Sequence, residues 1–204
     1  MEETLVYRGQ SHYEIEVEGL KRSLPIVEVS PGTFIASDAE LILGDVEFIE
    51  KVAKALSNKI KQFSPNVIVT PEAKAIALAY EVSRNLGHKK FVVARKSLKA
   101  YMKKYLVERV SSITTTEEQK LVLADDDIDL VKGKKVCILD DVVSTGGTLK
   151  ALEKLVQRAE GKIVCKAAIW KEGSWYKSED LIFLSKLPVF VTSENLKNGR
   201  NSLT

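Results

Sequence analysis

The sequence predicts an α/β fold: a parallel sheet flanked by helices, with a small β-rich piece at the N-terminus. Three observations predict it. Short apolar runs alternate with stretches of helical periodicity after Gly44, the pattern of strand–helix–strand units. Before that point the chain alternates apolar and acidic residues at period two, as in Tyr13, Ile15 and Val17 set between Glu14, Glu16 and Glu18. The 204 residues suffice for one domain with a substantial core and a small appendage.

The N-terminal elements come first. Tyr13 to Val17 reads as a strand, Leu24 to Val29 as a second, and Thr33 to Ile35 as a third after the turn Ser30-Pro31-Gly32. Asp45 is a plausible N-cap for a helix carrying Ile49, Val52, Ala53, Leu56 and Ile60 on one face. Val67 to Thr70 is then a strand, Glu72 to Leu86 a helix closed by Gly87, and Phe91 to Ala94 a strand. Lys96 to Asp126 breaks the alternation and reads as a long polar loop rich in Ser and Thr. Val136 to Leu139 is a buried strand, Thr148 to Ala159 a helix closed by Gly161, and Ile163 to Trp170 and Leu181 to Leu184 are further strands.

Composition excludes several classes. Hydrophobic residues make up 45% and charged residues 29%, ordinary for a globular chain. No apolar run reaches the length of a membrane span, and MEETLVYRGQ is not a signal peptide, so a cytoplasmic protein with no membrane partner is expected. A net charge of +3 is too weak to imply nucleic-acid binding. Cys137 and Cys165 lie in apolar runs and read as reduced core thiols, while His12 and His88 have no partner at ligand spacing. Charge is uneven: Arg84 to Lys104 holds eight Lys or Arg and no acid, followed by Asp125, Asp126, Asp127 and Asp129. Solvated surface explains either; the basic stretch also suits a phosphate-rich small ligand.

The segment VCILDDVVSTGGTL, Val136 to Leu149, carries the chemistry. A strand buried on both faces delivers ligands to its carboxyl end. Gly146 and Gly147 let backbone N–H groups approach a phosphate, and the following helix start adds donors and a favourable dipole. Ser144, Thr145 and Thr148 add hydroxyls. Asp140 and Asp141 stand where carboxylates can accept hydrogen bonds from the two hydroxyls of a ribose. A capped strand-to-helix turn explains the glycines but not two acids at the end of a buried strand, where they are costly without partners.

This segment resembles the motif by which type I phosphoribosyltransferases bind phosphoribosyl pyrophosphate (PRPP). The resemblance implies that Asp140 and Asp141 hold the ribose hydroxyls and that Val143 to Thr148 hold the 5′-phosphate. Thr70 to Ala75, TPEAKA, is similar to the Thr-Glu-Ala-Arg-Gly stretch of adenine phosphoribosyltransferases, with a Pro inserted, Lys74 for Arg and Ala75 for Gly. Arg95-Lys96-Ser97-Leu98-Lys99 is similar to their Arg-Lys-x-x-Lys. By that resemblance Glu72, Ala73, Lys74, Arg95, Lys96 and Lys99 are the pyrophosphate-binding set, with Lys74 and Arg95 alongside the two acids in catalysis. Fixed cations suit a leaving pyrophosphate.

The resemblance further implies a division into a hood (residues 1–40), a PRPP-binding core (41–190) and a C-terminal tail (191–204). Phe34 and Ile35 of the hood become candidates to sandwich a purine, because flat bases favour apolar and aromatic walls; a place in the hood core explains both at least as well. The family places a Tyr and an acid in a catalytic loop, for which Tyr101, Tyr105, Glu108, Glu117 and Glu118 are available. Mg²⁺ is expected to arrive with PRPP, with no metal ligand assigned among protein side chains. A homodimer is expected because the family shares basic residues across its interface. The implied reaction joins adenine to PRPP, giving AMP and pyrophosphate. The alternatives are the same chemistry on a 6-oxopurine, or a regulator that senses PRPP or nucleotide without catalysis.

Overall fold

The computed structural model describes residues 3–100, 102–110 and 119–197. The chain opens with strands β1 (Thr4–Val6), β2 (His12–Val17), β3 (Leu20–Ser30) and β4 (Thr33–Ala36). Helices α1 (Ala39–Gly44) and α2 (Val46–Ile60) lead to β5 (Val67–Pro71), α3 (Ile76–Asn85) and β6 (Val92–Ala94). Next come β7 (Tyr105–Val110), β8 (Gln119–Ala124), α4 (Asp125–Val131), β9 (Lys135–Val143) and α5 (Gly147–Arg158). Strands β10 (Lys162–Glu172), β11 (Leu181–Leu187) and β12 (Val189–Val191) and the short α6 (Ser193–Lys197) complete the described chain.

Five strands form the core sheet in the order β11-β10-β9-β5-β6, with every neighbouring pair parallel. Alternation along β9 explains its two-sided burial. Cys137 and Leu139 join the cluster that holds Phe48, Val52 and Leu56 of α2 and Leu78 and Val82 of α3. Val136 and Ile138 join the opposite cluster, with Leu149, Leu152 and Leu155 of α5. Both cysteines are free and buried, as their apolar setting predicts. Asp45 caps α2 as expected: its carboxylate accepts from the Phe48 N–H at 2.9 Å. Among the described residues no helix is long and apolar enough to cross a membrane.

The second sheet runs β1-β12-β4-β3-β2. Its first pair, β1 and β12, is parallel, and the others are antiparallel. The three-residue β12 inserts between β1 and β4, so a boundary at residue 190 cuts a strand of this sheet. Following Pro188 directly after β11, it is too short to stand out as a strand in sequence. Arg22 of β3 ties the sheet to the core: its guanidinium donates to Asp45 at 2.6 Å and to Glu47 at 2.7 Å.

Three local expectations need correction. The helix read from Glu72 starts at Ile76; residues 72–75 form a turn with a cis Glu72–Ala73 peptide. Within the long polar loop, β7 and β8 pair as antiparallel strands, and a helix, α4, begins at its end with Asp125, Asp126 and Asp127 in its first turn. Carboxylates are favourable at a helix N-terminus, which accounts for the acidic cluster. Gly161 does not supply the left-handed residue that ends α5; Glu160 does, at φ 60°. A Cβ on Gly161 would lie 2.6 Å from Val131 Cγ1, so packing demands the glycine.

Candidate active site

Asp140 and Asp141 end the unbroken buried run of β9, each 5% exposed. The Asp141 N–H donates to the Asp140 carboxylate at 2.9 Å. Lys74, carried by the turn after β5, places its ammonium 2.5 Å from Asp141 Oδ2 and 2.7 Å from Asp38 Oδ1. Burial and the neighbouring Asp141 push the Asp140 carboxyl well above the usual range. Burial opposes ionisation of Asp141 too, but hydrogen bonding from its neighbours and the Lys74 charge hold it below the usual range. Burial likewise disfavours the Lys74 ammonium, and the two carboxylates outweigh it and keep the amine protonated. The two neighbouring carboxyls are thus pushed in opposite directions, Asp140 up and Asp141 down.

Ser144, Thr145 and Gly146 turn the chain from β9 into α5. Gly146 has φ 82°, and a Cβ there would lie 2.5 Å from Tyr176 Cδ2. Both the dihedral and the ring behind it require glycine. The amides of Gly147 and Thr148 begin α5 and face no earlier turn, leaving donors for an anion. Tyr176 is fixed on the loop's back: its hydroxyl donates to Asp180 at 3.0 Å, and Lys166 spans Asp180 at 2.5 Å and Glu153 at 2.6 Å.

A cavity of about 200 Å³ joins these parts. Its lining brings together Glu72, Ala73, Lys74, Lys96, Asp140, Asp141 and Thr148 from the residues read in sequence. Glu72 works as a strut, accepting from the Lys96 N–H at 2.8 Å with Arg95 Nη2 3.7 Å from its other oxygen. Arg95 pairs its backbone with Val122 of β8 in both directions, at 2.9 and 2.8 Å, and so fastens the β7–β8 pair to the sheet edge. Lys99 is not among the cavity's lining residues; its N–H meets Met102 Sδ at 3.4 Å.

Sequence reasoning missed five contributors. Val110, Gln119 and Lys120 of the β7–β8 pair line the cavity, adding a third lysine to Lys74 and Lys96; the apolar run Leu121 to Leu123 was the available sign of a strand there. Asp38 and Glu172 are buried acids, 4% and 6% exposed, reached only through the fold. Burial and the nearby Asp141 raise the Asp38 carboxyl to about 6 despite Lys74. Glu172 follows Lys171, whose register partner is Val143, so it stands beside Ser144. Burial raises its carboxyl to about 7 against a hydrogen bond from Ser144.

The base-wall candidates separate. Phe34 and Ile35 are consecutive in β4 and point to opposite faces, so they cannot grip one ring between them from the same side. Phe34 already stacks on Tyr7, with ring centroids 3.8 Å apart. Of the loop candidates, Tyr101, Glu117 and Glu118 lie outside the described residues. Glu108 is held by Arg158 at 2.5 Å, and Tyr105 is largely exposed.

Residues 42–200 match the family described as Phosphoribosyl transferase domain. An adenine phosphoribosyltransferase of Thermosipho africanus is 36% identical over 132 residues, covering 64% of this chain and 73% of that protein. One from Methanococcus maripaludis is 30% identical over 145 residues, covering 71% and 81%. The crystal structure of adenine phosphoribosyltransferase from Thermoanaerobacter pseudethanolicus superposes with a TM-score of 0.63 at 22% identity, over 86% of this chain and 95% of that one. Paired acids leading into a glycine turn at the end of a parallel strand, together with a family match over most of its length, show that the chain belongs to the phosphoribosyltransferases, a family of transferases.

Proposed function

We propose that this chain transfers the 5-phosphoribosyl group of PRPP to adenine, giving AMP and pyrophosphate. The observation that carries the reading is the run Asp140 to Thr148, two buried carboxyls followed by a helix-start anion cradle, with Lys74 on the same cleft. The name shared by the relatives at 30–36% identity favours adenine over a 6-oxopurine.

In this reading Ser144 to Thr148 hold the 5′-phosphate and the Asp140–Asp141 pair holds the ribose hydroxyls. Departure of pyrophosphate leaves positive character on the sugar, as in glycoside chemistry. Lys74 and Lys96 meet the charge that collects on the leaving group, and Lys120 joins them from β8. Most of the work is alignment and charge, which fixed groups in a cleft supply. Mg²⁺ would arrive on PRPP, held by its oxygens and by water. Bound that way, it would supply neutralisation of the pyrophosphate charge. A homodimer in the cytoplasm is the matching setting.

The test is a product assay with PRPP, Mg²⁺ and, separately, adenine, hypoxanthine, guanine and xanthine. AMP from adenine alone is the expected result. Product only from an oxopurine overturns the base, and no product with PRPP still bound points to a sensor.

A further inference from the structure

We propose that Asp38 is a positioning residue that fixes the Lys74 ammonium between hood and ribose acids, giving the leaving-group lysine an anchor that does not compete with the sugar. The inference rests on the reading of Lys74 as a pyrophosphate contact.

Asp38 lies on the link between β4 and α1, outside every segment that carries the family resemblance. It occupies the N-cap position of α1, where an Asp ordinarily turns its carboxylate onto the first helical amides. Here the side chain makes no capping hydrogen bond. It turns instead to Lys74 Nζ at 2.7 Å, 36 positions along the chain. The group is 4% exposed, and its second oxygen, Oδ2, is buried with no hydrogen-bond partner. Giving up a local cap and leaving a buried oxygen unsatisfied both cost stability, so the carboxylate's place is dictated by its long-range partner.

The lysine's valence makes the role specific. An ammonium has three N–H donors. Asp38 accepts one at 2.7 Å, and Asp141 lies in ion-pair contact at 2.5 Å, so the two carboxylates hold the cation from two sides at the cavity. Asp141 is also a ribose acceptor in our reading, so it cannot serve the lysine and the sugar equally. Asp38 has no such second duty. Without it, Lys74 is held by Asp141 alone, and the grip on the sugar and the grip on pyrophosphate compete for one carboxylate.

The experiment compares wild type with Asp38→Asn and Asp38→Ser in the full chain. Serine keeps a good N-cap while removing the charge, so a folding defect in one variant does not leave the question open. Inhibition by Mg²⁺-pyrophosphate and the PRPP dependence of turnover are measured beside AMP binding by calorimetry. We expect pyrophosphate inhibition and kcat/KM for PRPP to weaken roughly tenfold, as for loss of a charge-assisted hydrogen bond, with AMP affinity within about twofold. In a Lys74→Ala background, Asp38→Asn adds nothing further. Equal losses of AMP and pyrophosphate binding, or a full additional loss in the Lys74→Ala background, overturn the proposal in favour of a structural acid. Weakened pyrophosphate inhibition in Lys74→Ala with unchanged Asp38 variants overturns the proposal and keeps the reading of the cleft. Unchanged inhibition in Lys74→Ala overturns that reading and the proposal with it.

Discussion

The carboxyl end of the core sheet and the hood are built in different ways. At the core, the groups that the proposed function assigns to sugar and phosphate come from one continuous run, Asp140 to Thr148, which begins on a strand paired on both sides by β5 and β10. In the hood, the sheet is stitched from the first 36 residues and from Val189–Val191, which lie beyond the whole core in sequence. Its packing rests on contacts between those distant pieces, such as Tyr13 against Phe190 at 5.4 Å. The difference separates two tasks. On the proposed function, gripping a common sugar phosphate needs fixed local geometry, and base selection is left to a sheet that can vary without disturbing that grip.

The contrast can be broken first where it is strongest. Asp141→Asn removes a ribose acceptor and one of the two carboxylates on Lys74, and kcat/KM for PRPP should fall by about 10³-fold in steady-state assays. A loss under threefold would erase the special status of the core run. Phe190→Ala strikes the other region. The side chain is 1% exposed, and its loss should cost about 3 kcal/mol in denaturant unfolding while leaving AMP affinity within about threefold. If AMP binding collapses with it, the two regions are not separable.

Gly146→Ala sharpens the account of the cradle. With φ at 82° and Tyr176 where the methyl would go, AMP binding should weaken by roughly thirtyfold. Tyr176→Ala alone clears the methyl's space but not the dihedral, so the double variant should recover only part of the loss. A smaller effect is expected from Glu172→Gln. The folded carboxyl titrates at about 7, above its ordinary 4.5, so the native state binds the proton more tightly than the unfolded chain. Stability is therefore greatest below the unfolded value and declines as pH rises through 7; Asp38, raised to about 6, acts in the same direction. Between pH 5 and pH 8 the variant should lose roughly 5 °C less in melting temperature than wild type. The least effect should come from Arg22→Ala, which unties hood from α2 through partly exposed ion pairs. A melting shift of about two degrees, shrinking with added salt, is expected.

The same contrast decided what could be read before the fold was known. The β9 strand, its turn and α5 were legible because the apolar run, the paired acids and the glycines are consecutive and each has a local cause. Asp45 was legible as a cap for the same reason. The β7–β8 pair was not, because the polar start of β8 and the intervening Ser and Thr hide the alternation that pairs Leu106 with Leu123. Lys120, Asp38 and Glu172 were out of reach because only tertiary packing brings them to the cleft. The start of α3 was misplaced by four residues because Lys74 answers to Asp38 and Asp141 rather than to helical periodicity.

The placement of β12 has a bearing on how the protein is made. Its three residues leave the ribosome after every strand of the core sheet, yet they sit inside the hood, between β1 and β4, and hydrogen-bond both. During synthesis the sugar-phosphate cradle can therefore assemble while the hood is still missing an interior strand.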